Sequence, residues 1–243
     1  MTRPRFDQRR LSFGPAAPLY DEIRPSYPPE AARWILGDAP LRVVDLGAGT
    51  GKFSRVLAAL GHEVLAIEPD PGMRSVLEEA SPGVTVLAGA AESMPLRGES
   101  VDAVVAAQAF HWFSNDLARE EIARVIRPGG VFGPLWNVRD DSLPWVAELT
   151  RTVLSGDGSS SALDYSESDF GPLFGGRERA EFHFATEHTT ATLVDLVRSR
   201  SKYLVADEAE RTRMVAATEA VVAGLPQPFE LPYITVAFRS IRR

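Results

Sequence analysis

The sequence predicts an α/β fold built on a parallel sheet with helices on both faces. Three observations carry this. Val43-Val44-Asp45-Leu46-Gly47-Ala48-Gly49-Thr50-Gly51 runs from β-branched residues through three glycines at alternate positions into a helical pattern. Strand-like and helix-like patterns then alternate as far as residue 136. Val101-Asp102-Ala103-Val104-Val105-Ala106-Ala107 is almost wholly apolar after Asp102, as expected of a central strand covered on both sides.

Taken in order, a helix near 29–36 precedes a strand over 42–46. Phe53, Val56, Leu57 and Leu60 fall at i, i+3, i+4 and i+7, so 52–60 is a helix with one apolar face, and Gly61 marks its stop. Strand 63–68, helix 71–80, strand 84–88 and strand 101–107 follow. Helix 115–127 puts Ala118, Ile122, Val125 and Ile126 on one face. Arg127-Pro128-Gly129-Gly130 should end it, since proline cannot continue the ladder and glycines make the turn into strand 131–136. Beyond 136 the strict alternation breaks. Leu143–Leu154 reads as a helix, and Ser155-Gly156-Asp157-Gly158-Ser159-Ser160-Ser161 as a flexible loop. Phe182–His188 alternates with period two and should be a strand. Helices are expected near 191–205 and 207–223, and a last strand from Phe229 to Phe238. The chain reads as one domain over 1–243, with a cap at about 139–200 between strands five and six.

Composition bounds the function. A chain of 243 residues buries roughly 70–75% of its unfolded surface, enough for one core without help. It holds no cysteine, so neither a disulfide framework nor a thiolate metal site is possible, which fits a cytoplasmic setting. No apolar stretch approaches the roughly 20 residues that span a bilayer, and Arg3, Arg5, Arg9 and Arg10 precede no apolar segment of a secretory signal. The net charge is −7. Polyanions are bound largely through Lys and Arg, so nucleic acid is not expected as a partner. The early arginines, with Arg239, Arg242 and Arg243, read as solvated ends. His62, His111, His183 and His188 show no metal-ligand spacing, and no metal is expected.

The glycine run is not the G-x-G-x-x-G of dinucleotide binders, whose third glycine comes three positions after the second. Asp45 at the strand end would repel a pyrophosphate and suits a ligand with a positive group, such as an amino-acid ammonium. Glycines there let a ligand lie directly on backbone N–H groups. Val64-Leu65-Ala66-Ile67-Glu68 then ends in a carboxylate 23 positions after Asp45, a spacing at which an acid accepts both hydroxyls of a ribose.

The D-x-G-x-G-x-G run followed by Glu68 resembles the first motifs of the class I S-adenosylmethionine-dependent methyltransferases. Gln108-Ala109-Phe110-His111-Trp112-Phe113 is similar to the Q-A-x-H-W segment of their small-molecule, type 11-like subgroup, and so is Tyr20-Asp21-Glu22-Ile23-Arg24-Pro25-Ser26-Tyr27-Pro28. The likeness covers 20–136 well and the remainder in outline. It implies a seven-stranded, doubly wound, Rossmann-like sheet with its last strand antiparallel, and S-adenosyl-L-methionine as cofactor. It implies cofactor contacts at Asp45, Gly47, Ala48, Gly49, Glu68, Pro69 and Gln108. Met73 either lies on the adenine or packs in the core. Relatives often carry Asp where this chain has Ala90, so adenine recognition falls to the backbone of Ala91 and to Glu92, which otherwise is a surface residue at a helix start. Tyr20 lies in the segment that folds over the cofactor in that subgroup, and either contacts the ligand or only packs there. The aromatics either face a sulfonium, as cation–π partners do, or cover the sheet edge.

His111 follows the central strand where an open sheet binds its ligands. It is the expected catalytic residue, as base or acceptor-orienting group, unless it is bonded to backbone beneath the cap. The reading is methyl transfer to an O, N or C atom of a small-molecule acceptor by a monomer or homodimer. The alternative is a catalytically silent relative that binds the cofactor and serves a partner protein.

Overall fold

The computed structural model describes residues 17–113, 115–154 and 170–243. The early arginines and the Ser/Gly stretch 155–161 lie outside the described residues. Seven strands form one sheet: β1 (Arg42–Leu46), β2 (Glu63–Ile67), β3 (Thr85–Leu87), β4 (Val101–Ala107), β5 (Ile126–Arg139), β6 (Glu178–His188) and β7 (Phe229–Ile241). Their order is β3-β2-β1-β4-β5-β7-β6. The first five are mutually parallel, and β7 runs antiparallel between β5 and β6. The seven-stranded α/β sheet with an antiparallel last strand is therefore as expected.

Period-two side-chain alternation builds two cores. Val44 and Leu46 of β1 and Val104 and Ala106 of β4 face one layer, where Phe110, Phe113 and α5 (Asp116–Val125) pack through Ala118, Ile122 and Val125. Val43, Ala103 and Val105 face the other, against α2 (Pro29–Leu36) and α3 (Lys52–Ala59), which contribute Ile35, Phe53 and Leu57. Two further helices complete the N-terminal half: α1 (Ala17–Ile23), and α4 (Pro71–Ala80), whose N-cap Asp70 accepts from Met73 N at 3.0 Å.

The Arg127–Gly130 stretch is not a separate turn. β5 already begins at Ile126 opposite Val101 and resumes pairing at Val131 opposite Ala103, so the extra residues form a bulge within the strand. Gly130 makes it possible, because a Cβ there would lie 2.4 Å from the Asp102 carbonyl oxygen.

The expected cap is not one insertion over 139–200 either. β6 runs through the middle of that range and pairs with β7 from Glu178 to His188. The helices over this end come from both sides of it: α6 (Pro144–Leu149) with a π turn at Thr150–Leu154, then α7 (Thr190–Arg198), α8 (Ser201–Leu204) and α9 (Glu208–Val222). Val146, Leu149, Leu193, Leu196, Met214 and Val222 bury a third apolar cluster against Phe229, Leu231 and Tyr233 of β7. The helix expected over 191–205 breaks at Ser199–Arg200. Ser199 Oγ donates to Leu196 O at 2.7 Å and Arg200 takes extended backbone angles (φ −84°, ψ 141°). Among the described residues no helix is long and apolar enough to cross a membrane.

Candidate active site

The glycine loop is the first component. Gly47 N and Ala48 N both donate to Ile67 O, at 2.8 and 3.2 Å, tying the end of β1 to the end of β2. Gly47, Gly49 and Gly51 have φ of 70°, 58° and 81°, a region L-residues rarely enter. A Cβ on Gly47 would lie 2.8 Å from Ala109 Cβ, whereas one on Gly49 would meet nothing within 4 Å among the described residues beyond its chain neighbours. The loop is thus packed behind and open in front, which fits a ligand laid against backbone.

Glu68 closes the loop from the side. Its Oε2 accepts from Gly49 N and its Oε1 from Asp70 N, both at 2.9 Å, and it is buried. Burial raises its carboxyl pKa, while the two backbone donors oppose the rise. Asp45 lies fully buried. Its Oδ2 accepts from Ser54 Oγ at 2.6 Å and its Oδ1 has no partner among the described residues. Burial above all, with the charge of Glu68 adding and the Ser54 bond opposing, pushes its pKa up to about 6.

A cavity opens over the C-terminal ends of these strands, where the sheet order reverses between β1 and β4. The glycine loop, Glu68, Pro69, Met73 and Gly89–Ala91 form one end. Gln108, with His111 and Trp112 of a 3-10 turn (Phe110–Trp112), lines the cavity beyond β4. Gln108 has φ 55° and its Nε2 donates to Asn137 O at 2.8 Å, so a strained backbone is held by a side-chain bond at the cavity wall. Asn137, Tyr233, Arg200 and Ser201 form the far end. Tyr20, Arg24, Pro25 and Tyr27, from α1 and the segment after it, also line the cavity.

Comparison with known proteins settles the family. A methyltransferase-domain model matches residues 44–133. An uncharacterized methyltransferase of Mycobacterium tuberculosis is 41% identical over 236 residues, 95% of each chain. The chain belongs to the class I S-adenosylmethionine-dependent methyltransferases. A malonyl-[acyl-carrier protein] O-methyltransferase of Methylococcus capsulatus is 39% identical over 132 residues, about half of each chain (49% and 48%). In fold, the methyltransferase resembles a solved protein of Anaeromyxobacter dehalogenans described as a type II methyltransferase. The TM-score is 0.66 at 24% identity, over 90% of this chain and 97% of that one. S-adenosylmethionine is therefore the methyltransferase's methyl donor.

Of the residues singled out in the sequence, Tyr20, Gly47, Ala48, Gly49, Glu68, Pro69, Met73, Ala91, Gln108 and His111 line this cavity. Asp45 and Glu92 do not. Asp45 sits beneath the loop, bonded to Ser54 of α3, and Glu92 Oε1 accepts from Nδ2 of Asn115, the residue that caps α5. Sequence reasoning missed Asn137, Arg200, Ser201 and Tyr233. Asn137 was within reach, since a polar residue at the end of an apolar strand reads as a site position; the other three were not, because Tyr233 comes there through the β5–β7 pairing and Arg200 and Ser201 through the break between α7 and α8.

Proposed function

We propose that this methyltransferase acts on a small-molecule acceptor, held at the β5–β7 end of the cavity. The observation that carries this reading is the continuity of one cavity: a cofactor-type cradle at one end, and a buried polar wall of Asn137, Ser201, Arg200 and Tyr233 at the other. Such an enclosed space suits a small ligand, and a polar wall beyond the cradle is more than cofactor storage needs. No observation favours the catalytically silent alternative.

The bound sulfonium supplies an activated methyl carbon, so the protein's task is alignment and exclusion of water. Glu68, with its position set by Gly49 N and Asp70 N, accepts from the ribose hydroxyls. Met73 and Pro69 offer an apolar face to the adenine and the backbone of Ala91 its polar edge. Gly47, Ala48 and Gly49 let the methionine portion lie close to the chain. Asp45 acts from behind, holding α3 to β1 through Ser54. Tyr20 and Arg24 share one face, the guanidinium 4.9 Å from the ring, and cover the ligand from above. The Methylococcus relative is named for methylation of an oxygen, which makes oxygen acceptors the first class to assay.

Calorimetry with S-adenosylmethionine, S-adenosylhomocysteine and NAD tests the cofactor assignment, and turnover with an acceptor panel separates an enzyme from a silent binder. Charged hydrogen bonds contribute about 1.5–3 kcal/mol, so Glu68→Gln should weaken S-adenosylmethionine binding by roughly ten- to a hundredfold while the fold persists. Unchanged affinity in the folded variant would put the ribose elsewhere.

A further inference from the structure

We propose that the β5–β7 end of the cavity is a carboxylate-binding subsite, in which Arg200 and Tyr233 take an acid group of the acceptor. The proposal rests on the methyl-transfer reading, because only there is this end of the cavity the acceptor's.

Tyr233 is the first observation. It is 1% exposed, it lines the cavity, and its buried hydroxyl has no hydrogen-bond partner among the described residues. A buried donor left unmade is costly, and native proteins seldom keep one without a use. Its ring is stacked on Phe184 at 5.4 Å and 18°, and its backbone is fixed opposite Arg139 in the β5–β7 pairing, so the hydroxyl is preorganised.

Arg200 is the second, and it comes from a different element. It stands in the break between α7 and α8, 7% exposed, in the same wall. Guanidinium stays charged in proteins, and a planar fork of donors matches a carboxylate. The charges along the cavity point the same way. Among the described residues that line it, Arg24, Lys52 and Arg200 are the cations and Glu68 the carboxylate, in a chain of net charge −7. Lys52 opens α3 beside the glycine loop, and Arg24 is held to Ser199 through Nε and Nη2 at 2.8 and 3.0 Å. Arg200 and Tyr233 are thus the cation and the neutral donor at the acceptor end, a pair suited to an anion with two oxygens.

The full chain, saturated with S-adenosylhomocysteine, is titrated by calorimetry and thermal shift with acetate, benzoate, octanoate, malonate, succinate and glutarate. The matching methyl esters and amides, and inorganic phosphate, serve as controls. At least one carboxylate should bind saturably while its ester and amide do not. Tyr233→Phe should weaken that binding about tenfold without lowering the thermal midpoint of the ligand-free protein, since the hydroxyl has no partner to lose among the described residues. Arg200→Lys should weaken it tenfold or more. Neither variant should change S-adenosylhomocysteine affinity by more than about twofold. Should Arg200→Lys fail to fold, Tyr233→Phe alone decides. No carboxylate binding to the loaded protein, binding of phosphate alone, or equal binding by the variants would overturn the subsite. So would loss of S-adenosylhomocysteine affinity in the variants, which would assign Arg200 to the cofactor. Failure of the wild type to bind S-adenosylhomocysteine would instead overturn the methyl-transfer reading, and the subsite with it.

Discussion

The indole of Trp136 can only donate, and its Nε1 lies 3.3 Å from His111 Nδ1, so the imidazole accepts there. A neutral ring then carries its proton on Nε2, and the one nitrogen able to remove a proton is already engaged. Of the two roles read from the sequence, this favours an acceptor-orienting donor over a general base. His111→Gln, which keeps a donor, should retain much of the turnover, while His111→Ala loses about tenfold and cofactor affinity stays level. A base typically contributes ~10²–10⁴-fold. Equal, large losses in both variants, together with disappearance of an acidic limb from the pH–rate profile, would restore the base role. Asp45 carries a second titration. With its pKa near 6 in the fold and near 3.8 when exposed, the native state holds the extra proton between those values. Stability from this group is therefore full below about pH 4 and is lost as pH rises through 6, by roughly 2–3 kcal/mol in all. Asp45→Asn should flatten that part of a denaturation series run from pH 4 to 7. A wild type whose stability rises across the same window, with no difference from the variant, would mean the carboxylate is solvated or paired in solution.

At the scale of elements, the β1–α3 turn asks different things of two glycines. Both have positive φ, a strain of about 1–2 kcal/mol for any other residue. Gly47→Ala adds a collision with Ala109 on the turn after β4, so it should lower the thermal midpoint markedly and abolish cofactor binding. Gly49→Ala meets nothing in the protein and should cost little beyond the strain, yet it places a methyl group where the ligand lies. Calorimetry and thermal denaturation separate the two, and equal destabilisation would sink the distinction. This turn was legible in the sequence because everything that makes it is local: β-branched residues, glycine spacing, and an apolar helix face. Glu68, Gln108 and His111 were legible for the same reason, each sitting just beyond a recognisable strand. The distant end was not. Tyr233 reaches the cavity because β7 pairs with β5, and Arg200 because Ser199 and Arg24 hold an otherwise helical run open, both contacts across long stretches of chain. Residues 127–130 misled for the opposite reason. Proline and paired glycines signal a turn locally, but the ladder to β4 carries the strand through them as a bulge.

Across the whole molecule, one segment of the cavity wall touches three separate parts. Asp21 accepts from Arg55 Nη2 of α3 at 2.7 Å, Arg24 is bonded to Ser199 at the end of α7, and Ser26 O accepts from Asn137 Nδ2 of β5 at 3.0 Å. The segment from Ala17 to Pro28 therefore spans the cofactor end and the acceptor end together. These bonds are polar and half-exposed, each contributing about 1 kcal/mol, weak enough for the segment to open and admit ligands. A ligand that fills the cradle contacts the underside of that segment and so stabilises its closed form. Hydrogen exchange with saturating S-adenosylhomocysteine should then protect 17–28 and the α7–α8 junction along with the glycine loop, although the junction lies at the other end of the cavity. Exchange along β6, at the far edge of the sheet, should stay unchanged. Arg24→Gln should leave the protection of the loop and remove that of the junction, because it cuts the bonds to Ser199 and spares the cradle. Protection confined to residues 47–51 and 68 in the unaltered chain would show that the two ends close independently, and that the segment is a fixed roof.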